Sequence, residues 1–273
     1  MEIIILDDAS TDSSKAIIET YRKHPLVKII VYNETNSGST FLQWEKGIRN
    51  ASGKYVWIAE SDDWCEPTML KELVENAEMD DRCAISYCQS YCIDVEGNIK
   101  WQSDYRKLIE IMDGHQFIQQ MMLSGNTIFN ASMAIWKRDL YHRIRHDFME
   151  YKYAGDKVFW IRLALHGTVA ISGKLQNYFL KHEKDVTGRA ISSGLRTVED
   201  MKILNLQLRE GMIGKEEYYG EYKRLFKSFW KIRHIVEPPF SSEIWRLFRN
   251  APVPKWYACS VRFSAILAGI KKR

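Results

Sequence analysis

The chain has 273 residues, 45% of them apolar, and a mean hydropathy of −0.35, an ordinary soluble composition able to bury the core of one domain of about 200 residues with an appendage. A net charge of +4 is modest and gives only a weak expectation of nucleic-acid binding, and no apolar run approaches the roughly 20 residues that span a bilayer. Met1-Glu2 leads straight into Ile-Ile-Ile-Leu, too short for a signal-peptide core, and Cys65, Cys83, Cys88, Cys92 and Cys259 form no CxxC pair, so the chain reads as cytoplasmic, with reduced thiols and no zinc site.

Glu2–Leu6 is a continuous apolar run, the pattern of a strand buried on both faces in a parallel sheet. It ends in Asp7-Asp8-Ala9-Ser10-Thr11-Asp12, where Thr11 or Asp12 caps a helix over about 13–23 with Ala16, Ile17, Ile18 and Tyr21 on its apolar face. A strand at 28–32 and a polar loop at 33–39 follow, then a helix over about 40–50 with Phe41, Trp44 and Ile48 on one side. Ser52-Gly53 turns the chain into Tyr55-Val-Trp-Ile-Ala, a short strand that runs directly into Glu60, Ser61, Asp62 and Asp63. Alternating strands and helices imply right-handed crossovers and a parallel sheet, whose strand ends face a ligand crevice. Carboxylates gathered there can hold a hard divalent cation, and Asp7 and Asp8 would face the same crevice as Asp62 and Asp63. The competing reading is a solvated acidic turn before a helix that starts at Pro67.

Glu2-Ile-Ile-Ile-Leu-Asp-Asp-Ala-Ser-Thr-Asp12, Asn36-Ser-Gly38 and Gly53-Lys-Tyr-Val-Trp-Ile-Ala-Glu-Ser-Asp-Asp-Trp64 together resemble the family 2 glycosyltransferases. That resemblance, carried over about residues 1–185, implies a GT-A-type Rossmann-like α/β fold with a mixed, mainly parallel sheet flanked by helices. It implies that Asp8 contacts the nucleotide base, Asp62 the ribose and Asp63 a Mn2+ or Mg2+ ion, with Asp7 and Glu60 in support; Glu60 stands where the family usually has Asp. Family members normally begin with one further strand and helix, so the domain is expected to be short at its N-terminus.

Pro67–Ala77 reads as an amphipathic helix, 84–88 and 91–95 as strands, and Glu96-Gly-Asn98 as a hairpin turn into 99–101. Asp113 caps a helix to about Leu123, and 126–136 is a strand candidate. Cys88 and Cys92 are not expected to form a metal pair. Tyr153-Ala-Gly-Asp156 opens a mostly apolar helix that Gly167 ends. Asp156 by itself reads as a helix cap; the resemblance makes it the general base, at a helix start where the family usually has Glu-Asp and this chain has Gly-Asp. After strands at 169–172 and 175–180, Tyr178-Phe-Leu-Lys-His182 resembles a family motif that brings His182 to the metal or diphosphate, with Lys181 adding charge, although a loop histidine alone is more often solvated.

Beyond about residue 187 the pattern becomes helical, with helices over 197–209 and 216–231, and Pro238-Pro239 as a break. The division expected is a glycosyltransferase-like domain over 1–187 and a helical extension, aromatic and basic, over 188–273. That extension suits either an anionic membrane surface or a packing arm. The implied function is inverting, metal-dependent transfer from a nucleotide-diphosphate sugar, a UDP-sugar favoured, to a glycan or lipid-linked acceptor in cell-surface polysaccharide synthesis. The alternatives are a catalytically silent sugar- or partner-binding relative and, from another class, a nucleotidyltransferase.

Overall fold

The computed structural model describes residues 1–181 and 193–270. β1 (Ile3–Asp7) and β2 (Val27–Tyr32) form a parallel pair in register from Ile4–Ile29 to Asp7–Tyr32, connected by α1 (Ser14–Thr20) and followed by α2 (Thr40–Asn50). Phe41, Trp44 and Ile48 of α2 are buried as their spacing predicts. By contrast α1 buries none of its residues, so the apolar face expected of Ile17 and Tyr21 stays exposed.

A second sheet is built from β3 (Tyr55–Trp57), β4 (Trp64–Cys65), β5 (Cys83–Ile93), β6 (Ile99–Gln102), β7 (Ile109–Asp113), β8 (Ala134–Lys137) and β9 (Thr168–Leu180). Its order is β3-β8-β5-β9-β4, with β6 on β5 and β7 on β9. The architecture is mixed α/β, as expected, but its parallel share is smaller: β1–β2 and β5–β9 pair in parallel, and the other ladders are antiparallel. The reason lies in partner choice. β3 pairs with β8, roughly 80 residues later in the chain, and periodicity within β3 carries no information about that strand's direction.

Two pairs of expected strands are single long ones. β5 runs through Gln89 and Ser90, polar residues that read as a break but are buried with partners: Gln89 Nε2 donates to the Ser172 carbonyl at 2.8 Å, and Ser90 N–H donates to Ser103 Oγ at 2.8 Å. β9 likewise continues through Gly173, where a Cβ would stand 2.3 Å from the Lys107 carbonyl. Conversely the strand expected over 126–136 is confined to β8; 126–130 is a loop, followed by a turn of 3-10 helix at Ala131–Met133.

The remaining helices are α3 (Met69–Ala77), α4 (Gly114–Phe117) widening into a π turn at Ile118–Met122, α5 (Gly155–Ala164), α6 (Leu195–Arg209), α7 (Lys215–Ile232), α8 (Pro238–Asn250) and α9 (Lys255–Ile270). Pro238-Pro239, expected as a break, begins α8, where a fixed φ and a missing N–H cost nothing. α5 is buried almost all round; Phe159 packs edge-on against Trp44, Trp136 and Phe148 at centroid distances of 5.6, 5.3 and 5.1 Å. Burying such a ring contributes about 2–3 kcal/mol. Val198, Met201, Ile203 and Leu204 of α6 join the same core, and buried Arg162 of α5 pairs with both Asp147 and Glu210. Among the described residues no helix is long and apolar enough to cross a membrane.

Candidate active site

The segment after β3 is fixed by the 130–132 turn. Trp57 Nε1 donates to the Ser132 carbonyl at 2.7 Å, Glu60 N–H donates to Ser132 Oγ at 2.9 Å, and Asp63 N–H donates to the Glu60 carbonyl at 3.2 Å. Asn130 Nδ2 then donates to Asp63 Oδ2 at 2.5 Å, while Leu180 N–H at the end of β9 reaches Asp63 Oδ1 at 3.3 Å. Asn130 is itself oriented by buried Asn177, whose Nδ2 donates to its Oδ1 at 3.1 Å. Like charges accumulate here. Burial pushes Glu60 up to about 8, with further contributions from Asp63, Asp62 and Asp156. Asp63 is raised by burial too, against hydrogen bonds from Ser132 and Asn130 that favour its charged form. Asp62 lies exposed on the rim.

Asp156 occupies the first turn of α5 but does not cap it. The N-cap is Ala154, which makes no side-chain cap bond. The N–H groups of Lys152, Tyr153 and Ala154 are taken instead by the buried carboxylate of Glu199, from α6, at 2.8, 2.9 and 2.7 Å. Asp156 is thereby left for other contacts: its Oδ1 accepts the Lys157 N–H and its Oδ2 accepts Asn126 Nδ2, both at 2.7 Å. Burial pushes its carboxyl up to about 6, against those bonds and the nearby Lys157. The preceding residue has no room for an acid, because a Cβ on Gly155 would lie 2.4 Å from the Phe41 ring and 2.5 Å from the Phe148 carbonyl. Lys157 is buried with its Nζ at 3.4 Å from the Leu123 carbonyl, and burial lowers its pKa.

At the end of β1, Asp8 ties the 33–39 loop and the first turn of α2 to the strand. Its Oδ1 accepts from Asn33 Nδ2 at 2.5 Å, Ser37 N–H at 2.9 Å and Gln43 Nε2 at 2.9 Å, and its Oδ2 accepts from Ser37 Oγ at 2.7 Å. Burial works to raise its pKa, but hydrogen bonds from Ser37 and Asn33 outweigh it and hold the carboxyl below its ordinary value. Ala9, next in the chain, has φ +60, a left-handed conformation that costs a non-glycine residue about 1 kcal/mol. Asp7 does not share the crevice. It is buried and turned onto its own loop, where Oδ2 accepts the Ser10 N–H at 3.2 Å.

The structure therefore gathers Glu60, Asp62, Asp63 and Asp156, and sets Asp8 in a separate polar cluster. Lys181 is exposed, with its N–H donating to the Ile93 carbonyl at 2.8 Å, and His182 lies outside the described residues. Asn126, Asn130, Ser132 and Glu199 were missed by sequence reasoning, which treated the first three as part of a strand. Their signal was present, since polar residues at 126, 130 and 132 interrupt what would have been an apolar strand. Glu199 left no signal, because its partners are backbone groups 45 to 47 residues away. Among the described residues no three His, Cys, Asp or Glu side chains are placed to hold a metal ion by themselves.

A model of glycosyl transferase family 2 matches residues 1–145. The cholesterol galactosyltransferase of Borreliella burgdorferi is 25% identical over 240 residues, covering 84% of this chain and 64% of that protein. The uncharacterized glycosyltransferase YibD of Escherichia coli is 29% identical over 144 residues, covering 51% and 41%. The putative teichuronic acid biosynthesis glycosyltransferase TuaG of Bacillus subtilis is 37% identical over 87 residues, covering 32% and 33%. The chain thus spans less than two thirds of each of these relatives. In fold it is similar to Staphylococcus aureus TarS 1–349 in complex with UDP-GlcNAc, with a TM-score of 0.65 at 20% identity over 90% of this chain and 70% of that one. The same protein in complex with UDP gives a TM-score of 0.55 at 16% identity over all of this chain and 82% of that one.

Proposed function

The chain belongs to the family 2 glycosyltransferases, and from that membership we propose that it transfers a sugar, with inversion, from a nucleotide-diphosphate sugar to a hydroxyl acceptor. The observation that carries this reading is the convergence of Asp156 with the Glu60–Asp63 carboxylates, nearly 100 residues apart in sequence yet near enough for the Asp156 charge to help raise the pKa of Glu60. A UDP-sugar is favoured by the UDP-GlcNAc and UDP complexes of the similar fold, and a role in cell-surface glycan assembly by the teichuronic acid relative.

Asp156 is the group suited to accept the acceptor hydroxyl's proton. A carboxyl held near pH 6 is more basic than an ordinary aspartate yet still ionised at neutral pH, and Asn126 fixes its orientation. Glu199 holds the loop that delivers it, so the proton goes to a carboxylate in a defined position. Glu60 has a different part: burial, with the charges of Asp63 and Asp62 beside it, pushes its carboxyl up to about 8, so its proton limits the repulsion at the site.

The crowding of these acids fits a divalent cation, Mn2+ or Mg2+. Asp63 would hold it, with diphosphate oxygens and water filling the shell, as is usual for an ion bound through one or two carboxylates, and Asp62 would face the ribose. When bound, such an ion supplies neutralisation of the leaving diphosphate. The test is the thermal stability of the protein with UDP, GDP and dTDP, each with and without Mn2+, beside Asp63→Asn, followed by transfer from the donor so named. A shift seen only with nucleotide and metal together, and lost in Asp63→Asn, is expected. Absence of any nucleotide shift would sink the donor reading.

Peripheral contact with an anionic membrane belongs to the same proposal. The last thirty residues carry seven Lys or Arg and no Asp or Glu, more positive charge than the net +4 of the whole chain. On α9 the exposed Trp256, Phe263, Ile266 and Leu267 share a face, opposite buried Val261 and Ala265.

A further inference from the structure

The loop 126–130 has two sides. Asn126 and Asn130 turn to the carboxylates, bonding Asp156 and Asp63. Thr127 and Phe129, between them in sequence, line a separate cavity of about 390 Å3. Its other walls come from β5 and from β6 and the segment after it, including Gln89, Trp101, Gln102, Asp104 and Tyr105. Trp101 and Phe129 meet edge-to-face at a centroid distance of 4.8 Å and remain 37% and 36% exposed, so aromatic surface is left open along the wall of a cleft of mixed apolar and polar lining.

We propose that this cleft is a glycan subsite, in which a neutral sugar ring of the acceptor stacks on Trp101 and Phe129 beside the Asn126–Asp156 pair. The proposal rests on the glycosyltransferase reading above and names where the acceptor is held. A pyranose presents C–H groups on its flat face and hydroxyls around its rim. An aromatic face covers the first, while amides and a carboxylate take the second through both donor and acceptor atoms. The walls supply that set: exposed Gln102 carries an amide, Asp104 a carboxylate, and Trp101 adds an indole N–H. Among the described residues no Lys, Arg or His lines the cavity, a lining that disfavours a phosphate and separates it from a site for the donor's diphosphate. Its volume suits one or two sugar rings. Position completes the case, because a sugar seated on Phe129 is three residues along one loop from the side chain that orients the candidate base.

The experiment is binding of the full chain to a printed array of neutral, N-acetylated and acidic oligosaccharides, with and without UDP, followed by titration of the best-retained glycan. Trp101→Ala and Phe129→Ala are compared with Trp101→Phe, which keeps a ring, and unfolding midpoints report whether each variant is folded. A glycan retained in the presence of UDP is expected to lose about tenfold in affinity in Trp101→Ala and to recover most of it in Trp101→Phe. No retained glycan, binding insensitive to both alanine variants, or binding displaced by UDP overturns the proposal. UDP affinity is read separately and without glycan, so failure of the donor reading is told apart from failure of the cleft.

Discussion

At the scale of single residues the site is a problem of keeping one acid ionised among others. Asp156 has a folded-state pKa of about 6, above its ordinary value of 3.8, so the folded chain holds this proton more tightly than the unfolded chain. Stability from this group is fully present below pH 4 and is lost as pH rises through 6. Asp156→Asn should therefore be more stable than the parent at pH 7.5, by up to about 3 kcal/mol, with the difference vanishing near pH 4 in urea titrations. The same variant should keep nucleotide binding and lose about 100- to 10,000-fold in transfer. Parent activity should climb with pH through about 6, and a profile flat from pH 5 to 7 would remove Asp156 as the base.

At the scale of elements, α5 is positioned by a carboxylate from outside its own segment. Glu199 is buried and takes the N–H groups of Lys152, Tyr153 and Ala154. Glu199→Ala leaves those donors without that acceptor and should cost about 3 kcal/mol in chemical denaturation, with kcat falling because Asp156 follows the loop. Glu199→Gln keeps one acceptor oxygen and should fall between the two. The close contact of Gly155 with Phe41 and Phe148 makes the neighbouring position equally constrained, which is the physical reason an acid before Asp156 is absent here. For α9, binding to vesicles containing phosphatidylglycerol but not to phosphatidylcholine alone is expected, and reduced binding in the Trp256→Ala/Phe263→Ala double variant would tie it to the exposed face. Equal binding to both vesicle types would remove the electrostatic part of that proposal.

At the scale of the whole molecule, the helices after residue 193 share a core with the sheet. Arg162 of α5 meets Glu210 beyond α6, Gln119 Nε2 donates to the Met212 carbonyl at 3.1 Å, and Ser124 Oγ donates to Glu221 at 3.1 Å. Cutting the chain at 187 would strip Glu199 from the site and leave Arg162, buried between two acids, with one partner fewer. Residues 1–187 alone should consequently lack a cooperative thermal transition and fail to bind UDP; a sharp transition from that fragment would show the core to be divisible.

Much of this molecule was legible in its sequence because it is local. Periodicity located β1, β2 and α2, the run into Asp7 and Asp8 marked the end of β1, and the three motifs pointed to the family, whereas the strand before the second acidic group stops at Trp57 and a turn carries Glu60 to Asp63. Tertiary structure alone decided the rest. Polar Gln89 and Ser90 could sit inside a long strand because distant partners satisfy them, and β3 found an antiparallel neighbour far along the chain. Asp7 and Asp8, adjacent in sequence, parted, while Glu60 and Asp156 met. The cause is common to all of these: a side chain's own spacing sets its element and face, but its protonation, its hydrogen-bond partners and the groups it works beside depend on segments brought together only by folding.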